Sequence, residues 1–118
     1  MLLQHEEYQS SFDQAIACMV ECEHCADACM GEAEMKKCAR MCMDTAEGCR
    51  SLATLMVRGS YVIAPHAKAC AEVCEACASE CEKHDMDHCK KCAEACRTAA
   101  KAYRQIAGVK EAAHSCCQ

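Results

Sequence analysis

Cysteine recurs at steps of three and four residues through most of this chain. The runs are Cys18, Cys22, Cys25 and Cys29; Cys38, Cys42 and Cys49; Cys70, Cys74, Cys77 and Cys81; and Cys89, Cys92 and Cys96. A thiolate is a nucleophile, a redox partner and a soft metal ligand, so position must decide which chemistry is meant. Residues three and four apart share one face of a helix. With Cys18 at 0° and about 100° per residue, Cys22 falls at about 40°, Cys25 at about −20° and Cys29 at about 20°. All of the first run therefore lies in one stripe. The other runs repeat it, with Thr45 filling the vacant step between Cys42 and Cys49. Charged residues such as Glu21, Glu23, Asp27, Glu72, Glu75 and Lys101 fall off the stripes. This is the buried seam of a helical bundle, written in cysteine where leucine is expected.

Side-by-side thiols on one helix are poorly placed for disulfides. The chain also has only 4 Gly and 1 Pro, too few for a loop-rich stapled fold. Cysteine can pack as a small hydrophobe, but packing alone does not call for thiol at nearly every seam position. Inward thiol stripes on several helices make a column of sulfur, and thiolates select Cu(I), zinc or iron–sulfur clusters. Structural zinc and iron–sulfur sites use isolated ligand sets, often on loops. Charge discriminates further. Zn²⁺ on four thiolates leaves −2 per site, which is costly when repeated in a dry interior. One Cu⁺ per thiolate leaves a filled column neutral, and bridging thiolates suit a continuous column. The expected cofactor is Cu(I), with multiple ions per chain: on the order of one per core cysteine, roughly a dozen.

The elements that must carry these stripes follow from the stop signals. Helices are expected over about 11–30, 33–58, 65–83 and 87–107, as one four-helix-bundle domain spanning 1–118. Ser10 and Ser11, with Asp13 and Gln14, suggest a capping box at the first start. Gly31 and Gly59 suit the first two stops, Pro65 suits the first turn of the third helix, and Gly108 is a possible break in the fourth. Residues 1–10 form an N-terminal segment that could include a short helix, and 108–118 a C-terminal tail. The first cysteine run recurs as the third at a shift of 52, and Lys36-Lys37-Cys38-Ala39 recurs as Lys90-Lys91-Cys92-Ala93 at a shift of 54. At that second shift Cys49 aligns with Tyr103. Short loops then make the fold all-α, an antiparallel up-down-up-down four-helix bundle with a Cys-lined core.

The two ends of such a bundle differ. One carries Met30, Met35, His84, Met86 and His88; the other carries Leu52, Leu55, Met56, Val57, Val62, Ile63 and Ile106. Thioether and imidazole bind Cu(I) more weakly than thiolate, so the first end is expected to admit metal and the second to be an apolar plug. Met35, Met86 and His88 are accordingly counted with the candidate ligands. Cys117 joins them as a candidate tail ligand; it and Cys116 could instead be reactive thiols. His24 lies off the stripe and is expected at the surface, with His5, His66 and His114 solvated near the ends. Tyr8, Tyr61 and Tyr103 read as packing residues.

Other classes are disfavoured. A net charge of −5 with 3 Tyr, 1 Phe and no Trp opposes nucleic-acid binding. No apolar run approaches the roughly 18 residues of a membrane span. The first residues, Met1-Leu2-Leu3-Gln4-His5-Glu6-Glu7, have neither the basic nor the apolar region of a secretory signal, so a cytoplasmic location is expected.

The sequence resembles the cytosolic branch of the bacterial copper storage proteins. The resemblance rests on the run of residues 18–29, its repeat over 70–81, and the stripes of 38–49 and 89–96, and covers about residues 10–107. It implies a homotetramer of four-helix bundles, each holding many Cu(I) ions on inward thiolates. The binding role carries over to the fourteen stripe cysteines, which Thr45 and Tyr103 interrupt. High-capacity Cu(I) storage is thus the leading reading, with a copper chaperone or client enzyme as possible partners and no enzymatic activity expected. One alternative is a general sink for zinc, cadmium or silver. Another is a thiol–disulfide oxidoreductase using Cys22/Cys25 or Cys74/Cys77, although such pairs work at helix N-termini and these lie mid-helix.

Overall fold

Ala and Cys dominate the inward positions, and both are small enough to let helices approach closely. The computed structural model describes the backbone of residues 1–113 and the side chains of residues 1–108. Its long elements are α1 (Gln9–Cys29), α2 (Lys36–Val57), α3 (Ile63–Cys81) and α4 (Asp87–Ala113), and no strand occurs among the described residues. Single 3-10 turns, Glu6–Tyr8 and Ala33–Met35, lead into α1 and α2. Each helix packs on the next, and α1 closes against α4. The pairs Cys18–Cys96 and Cys25–Cys89 run in opposite senses along α1 and α4, as do Cys38–Cys81 and Cys42–Cys77 along α2 and α3. The fold is an all-α, up-down-up-down four-helix bundle. No helix among the described residues is long and apolar enough to cross a membrane.

The first start differs from expectation. Helix α1 begins at Gln9, no side chain caps it, and the preceding turn runs directly into it. Ser11 is buried instead of capping. The Gln9 side chain folds back, accepting from the Leu3 amide at 2.7 Å and donating to the Met1 carbonyl at 3.0 Å. This pins the N-terminal segment over the end of the bundle. Leu3, Tyr8 and Phe12 are buried there with Leu52, Leu55, Met56 and Ile63, while Val57 and Val62 are exposed rather than part of the plug. Helix α3 begins two residues before Pro65 and keeps it in the first turn. Helix α4 continues through Gly108, since a lone glycine weakens a helix without ending it.

The stop after α2 is a complete Schellman motif. The Ser60 amide donates to Leu55 O at 3.0 Å and the Gly59 amide to Met56 O at 3.2 Å, with Gly59 at φ +58. A β-carbon there would also lie 2.6 Å from the His5 ring, so His5 is packed against the turn rather than solvated. Gly59→Ala should destabilise the protein by about 1–2 kcal/mol, from left-handed strain and displacement of His5. Thermal unfolding measures this. A substitution with no effect would mean that the turn tolerates a side chain and His5 packing is unimportant.

Candidate metal centre

Each cysteine stripe faces the bundle axis because the neighbouring faces are occupied by alanine or by solvent-seeking charge. All fourteen cysteines from Cys18 to Cys96 are free and buried. Their sulfurs form a network across the four helices. Near the centre Cys22 lies 3.6 Å from both Cys96 and Cys92, and Cys92 lies 3.7 Å from Cys42. Cys42 in turn meets Cys77 and Cys81, each at 3.8 Å, and Cys81 meets Cys38 at 3.7 Å. Toward the apolar plug, Cys18 contacts Cys22 at 3.9 Å and Cys96 at 3.8 Å.

Four sets bring ligand atoms within 4.8 Å of one another: Cys22/Cys77/Cys92/Cys96, Cys25/Cys42/Cys81/Cys92, Cys25/Cys29/His88/Cys89 and Cys18/Cys49/Cys74. Cys92 and Cys25 each belong to two sets, which links three of the four, and Cys18 brings the fourth against Cys22 and Cys96. Cys70 stands apart from all four. Its thiol donates to the Gly48 carbonyl at 3.5 Å between α2 and α3, although its place on the helical wheel matches that of Cys18.

The opposite end of the column opens into a cleft lined by Cys29, Met35, His84, Met86 and His88, with Glu32, Glu34, Lys83 and Asp85 around it. His88 is the innermost imidazole. Its Nδ1 lies 3.4 Å from Cys25 Sγ, 3.5 Å from Cys89 Sγ and 3.9 Å from Cys29 Sγ. Met35 is buried, whereas Met86 is 40% and Met30 62% exposed, and Met30 lines an adjoining groove with Met43. His24 is exposed, with its ring edge toward His88 at 6.5 Å between centroids. Cys116, Cys117 and His114 lie outside the described residues.

Two features were not legible in the sequence. Glu80 is buried beside the mouth, held by Lys83 at 3.2 Å, His84 at 3.3 Å and Lys37 at 3.6 Å. Burial alone would raise its pKa, but the bonds from His84 and Lys83 and the lysine charges hold it below the ordinary value. Second, the fully buried Tyr103 is more than packing: its hydroxyl donates to Cys49 Sγ at 3.1 Å. The repeat alignment of Cys49 with Tyr103 was the available signal. Thr45 also occupies its stripe differently from cysteine, donating its hydroxyl to Met41 O at 2.8 Å on its own helix.

Burial and neighbouring charge keep most of the core thiols neutral when metal is absent. Burial, reinforced by the charges of Cys25 and Cys38, pushes Cys29 up to about 12. Burial and the Cys18 charge push Cys70 up to about 11. Unfolded thiols ionise near about 8.5. Unfolding therefore releases protons between those limits, so the stabilisation is complete below about pH 8.5 and is lost as pH rises through 11–12. The melting temperature of the metal-free, reduced protein should accordingly fall from pH 8 to pH 10. A flat profile would mean that the thiols are not held neutral. Within the network, hydrogen bonds from neighbouring thiols favour the charged form at Cys18, Cys25 and Cys77.

Comparison with known proteins agrees with this geometry. The copper storage protein family (Csp) profile matches residues 4–108. The uncharacterized cysteine-rich protein YhjQ of Bacillus subtilis (strain 168) is 36% identical over 106 residues, covering 86% of this chain and 98% of that protein. The Cu(I)-bound copper storage protein BsCsp3 of Bacillus subtilis superposes with a TM-score of 0.81 at 35% identity, over 85% of this chain and 97% of that one. A cytosolic copper storage protein from Streptomyces lividans, in a structure of copper loading with five coppers, gives a TM-score of 0.83 at 34% identity, over 88% and 94%. By sequence, fold and the disposition of its thiols, this chain belongs to the copper storage protein family.

Proposed function

We propose that this chain stores Cu(I), holding many ions on the inward thiolates of a preformed bundle. The observation that carries this reading is the continuous sulfur network, with neighbouring sulfurs 3.6–3.9 Å apart across all four helices. Each Cu⁺ that binds at a neutral thiol displaces its proton to solvent, so the core passes from mostly neutral thiols to neutral copper thiolates. The stripe cysteines are the ligands, with His88 as a nitrogen ligand in the outermost set. Metal enters at the Met35, His84, Met86 and His88 mouth, because the other end is closed by Leu3, Tyr8, Phe12 and Ile63.

The wider reading follows the same lines. A cytoplasmic location accords with the cytosolic relative and with a core that requires reduced thiols. A homotetramer would cover apolar side chains exposed on the helices, such as Ile16, Val20 and Val73. A copper chaperone or client enzyme would exchange metal at the mouth. The role is binding rather than catalysis, since the thiol pairs lie mid-helix and not at a helix start.

An anaerobic titration of reduced protein with Cu(I) against a competing chelator, followed by far-UV circular dichroism, tests the reading. Expected is tight uptake of roughly one Cu(I) per core cysteine, with helix present before any metal. Saturation after a few equivalents would overturn storage. Equal retention of zinc or cadmium would favour a general soft-metal sink. The shared Cys92 opposes that outcome, because the two all-thiol sets of four cannot both be isolated tetrahedral zinc sites.

A further inference from the structure

The sulfur column ends differently at its two extremities, and the closed end is built around a phenol. On α4 the stripe Cys89, Cys92 and Cys96 would continue seven residues on at position 103, where the chain has Tyr103. That side chain is fully buried, and its hydroxyl reaches Cys49 Sγ at 3.1 Å. Cys49 forms the last ligand set with Cys18 and Cys74. Beyond Cys49 along α2 the buried residues are Leu52, Ala53, Leu55 and Met56, with no further thiol.

We propose that Tyr103 is a positioning residue for the terminal copper. Its phenol donates to the Cys49 thiolate and fixes it as a ligand of the Cys18/Cys49/Cys74 site. This inference rests on the storage reading.

The physical reason lies in how charge is shared along the column. An interior thiolate bridges copper ions on both sides, which divide its negative charge. At the closed end no metal lies beyond Cys49, so its sulfur keeps more charge in a dry environment, where an uncompensated anion is costly. A neutral O–H donor aimed at that sulfur supplies the missing partner. Hydrogen bonds to ionised acceptors are stronger than neutral ones, so this bond gains strength when Cys49 loses its proton to solvent and binds Cu⁺. A hydroxyl is a hard ligand that competes poorly for Cu(I), so Tyr103 acts as a donor and ends the column without extending it.

The test compares Tyr103→Phe and Tyr103→Leu in the full chain, loaded anaerobically with Cu(I) and then challenged with excess chelator. Phe keeps the ring and removes only the donor; Leu removes both. Tyr103→Phe should keep its helix content and most of its capacity, but bind about one equivalent of copper roughly 10- to 100-fold more weakly, the size expected for one hydrogen bond to a charged acceptor. In a Cys49→Ala background, Tyr103→Phe should have no further effect on copper retention, because the donor has lost its acceptor. If Tyr103→Phe retains every equivalent as the unaltered chain does while only Tyr103→Leu is impaired, the residue merely packs and the proposal is overturned. Full additivity of Tyr103→Phe and Cys49→Ala overturns it equally. Failure of the unaltered chain to take up many Cu(I) ions would instead refute the storage reading itself.

Discussion

Cys92→Ser should lower the Cu(I) capacity by more than one equivalent, whereas Cys70→Ser should lower it by one at most. Cys92 belongs to two of the four ligand sets and joins Cys22, at 3.6 Å, to Cys42, at 3.7 Å. Serine matches cysteine in shape, but its oxygen is a poor Cu(I) ligand. Its loss therefore removes a bridge between the α1–α4 and α2–α3 halves of the column, and metal on both sides loses a ligand. Cys70 contacts a backbone carbonyl instead and lies in none of the sets. The comparison is made by metal analysis after anaerobic loading and gel filtration, with helix content checked by circular dichroism. The serine hydroxyl at position 92 would be buried among thiols, at a cost of about 1–3 kcal/mol to the metal-free fold. Equal losses for the two variants would show that the thiols act as independent single-metal sites rather than as a linked column.

The second large effect concerns rate. Replacing Met35, Met86 and His88 together, with Leu, Leu and Gln, should slow copper loading about tenfold or more, the order seen when a positioned ligand environment is disturbed. The three line one cleft, and His88 Nδ1 stands 3.4–3.9 Å from Cys25, Cys29 and Cys89. A metal ion arriving there would meet thioether and imidazole before thiolate and pass inward toward stronger ligands. Capacity should fall by about one equivalent at most, since only His88 belongs to a ligand set and the other sets contain thiols alone. His66→Ala serves as the control: it lies at the opposite end, exposed, with its Nδ1 3.2 Å from Val62 O. Stopped-flow absorbance of copper–thiolate formation reads the rates. Unchanged loading in the triple variant would mean that copper reaches the column elsewhere, and equal slowing in His66→Ala would point to a general effect on the bundle.

Glu80 ties together the elements around the mouth. Its buried carboxylate links Lys37 of α2 to Lys83 and His84 beyond the end of α3. The His84 ring that lines the cleft is thus oriented by a carboxylate on the preceding helix. No local pattern marks Glu80 as buried, because its neighbours in sequence include exposed Ser79 and Glu82.

What the sequence determined by itself is what depends on period and composition. Steps of three and four residues place the fourteen thiols on one stripe of each helix whatever the neighbouring helices do, because a helix turn sets azimuth locally. Gly59 marks the end of α2 for an equally local reason, its left-handed backbone. The scarcity of glycine, proline and aromatic residues, with cysteine along every stripe, argues against a disulfide scaffold and nucleic-acid binding. The structure starts α1 two residues earlier than the Ser10–Ser11 capping pattern suggests, because a turn over Glu6–Tyr8 runs into the helix and Gln9 ties that turn to Met1 and Leu3. Tertiary structure alone decided which sulfur meets which. Azimuth says nothing of the axial stagger between helices, and stagger is set by packing of side chains distant in sequence. It is why Cys92 is shared by two sets, why Cys70 faces Gly48 rather than the column, and why the hydroxyl of Tyr103 ends on Cys49.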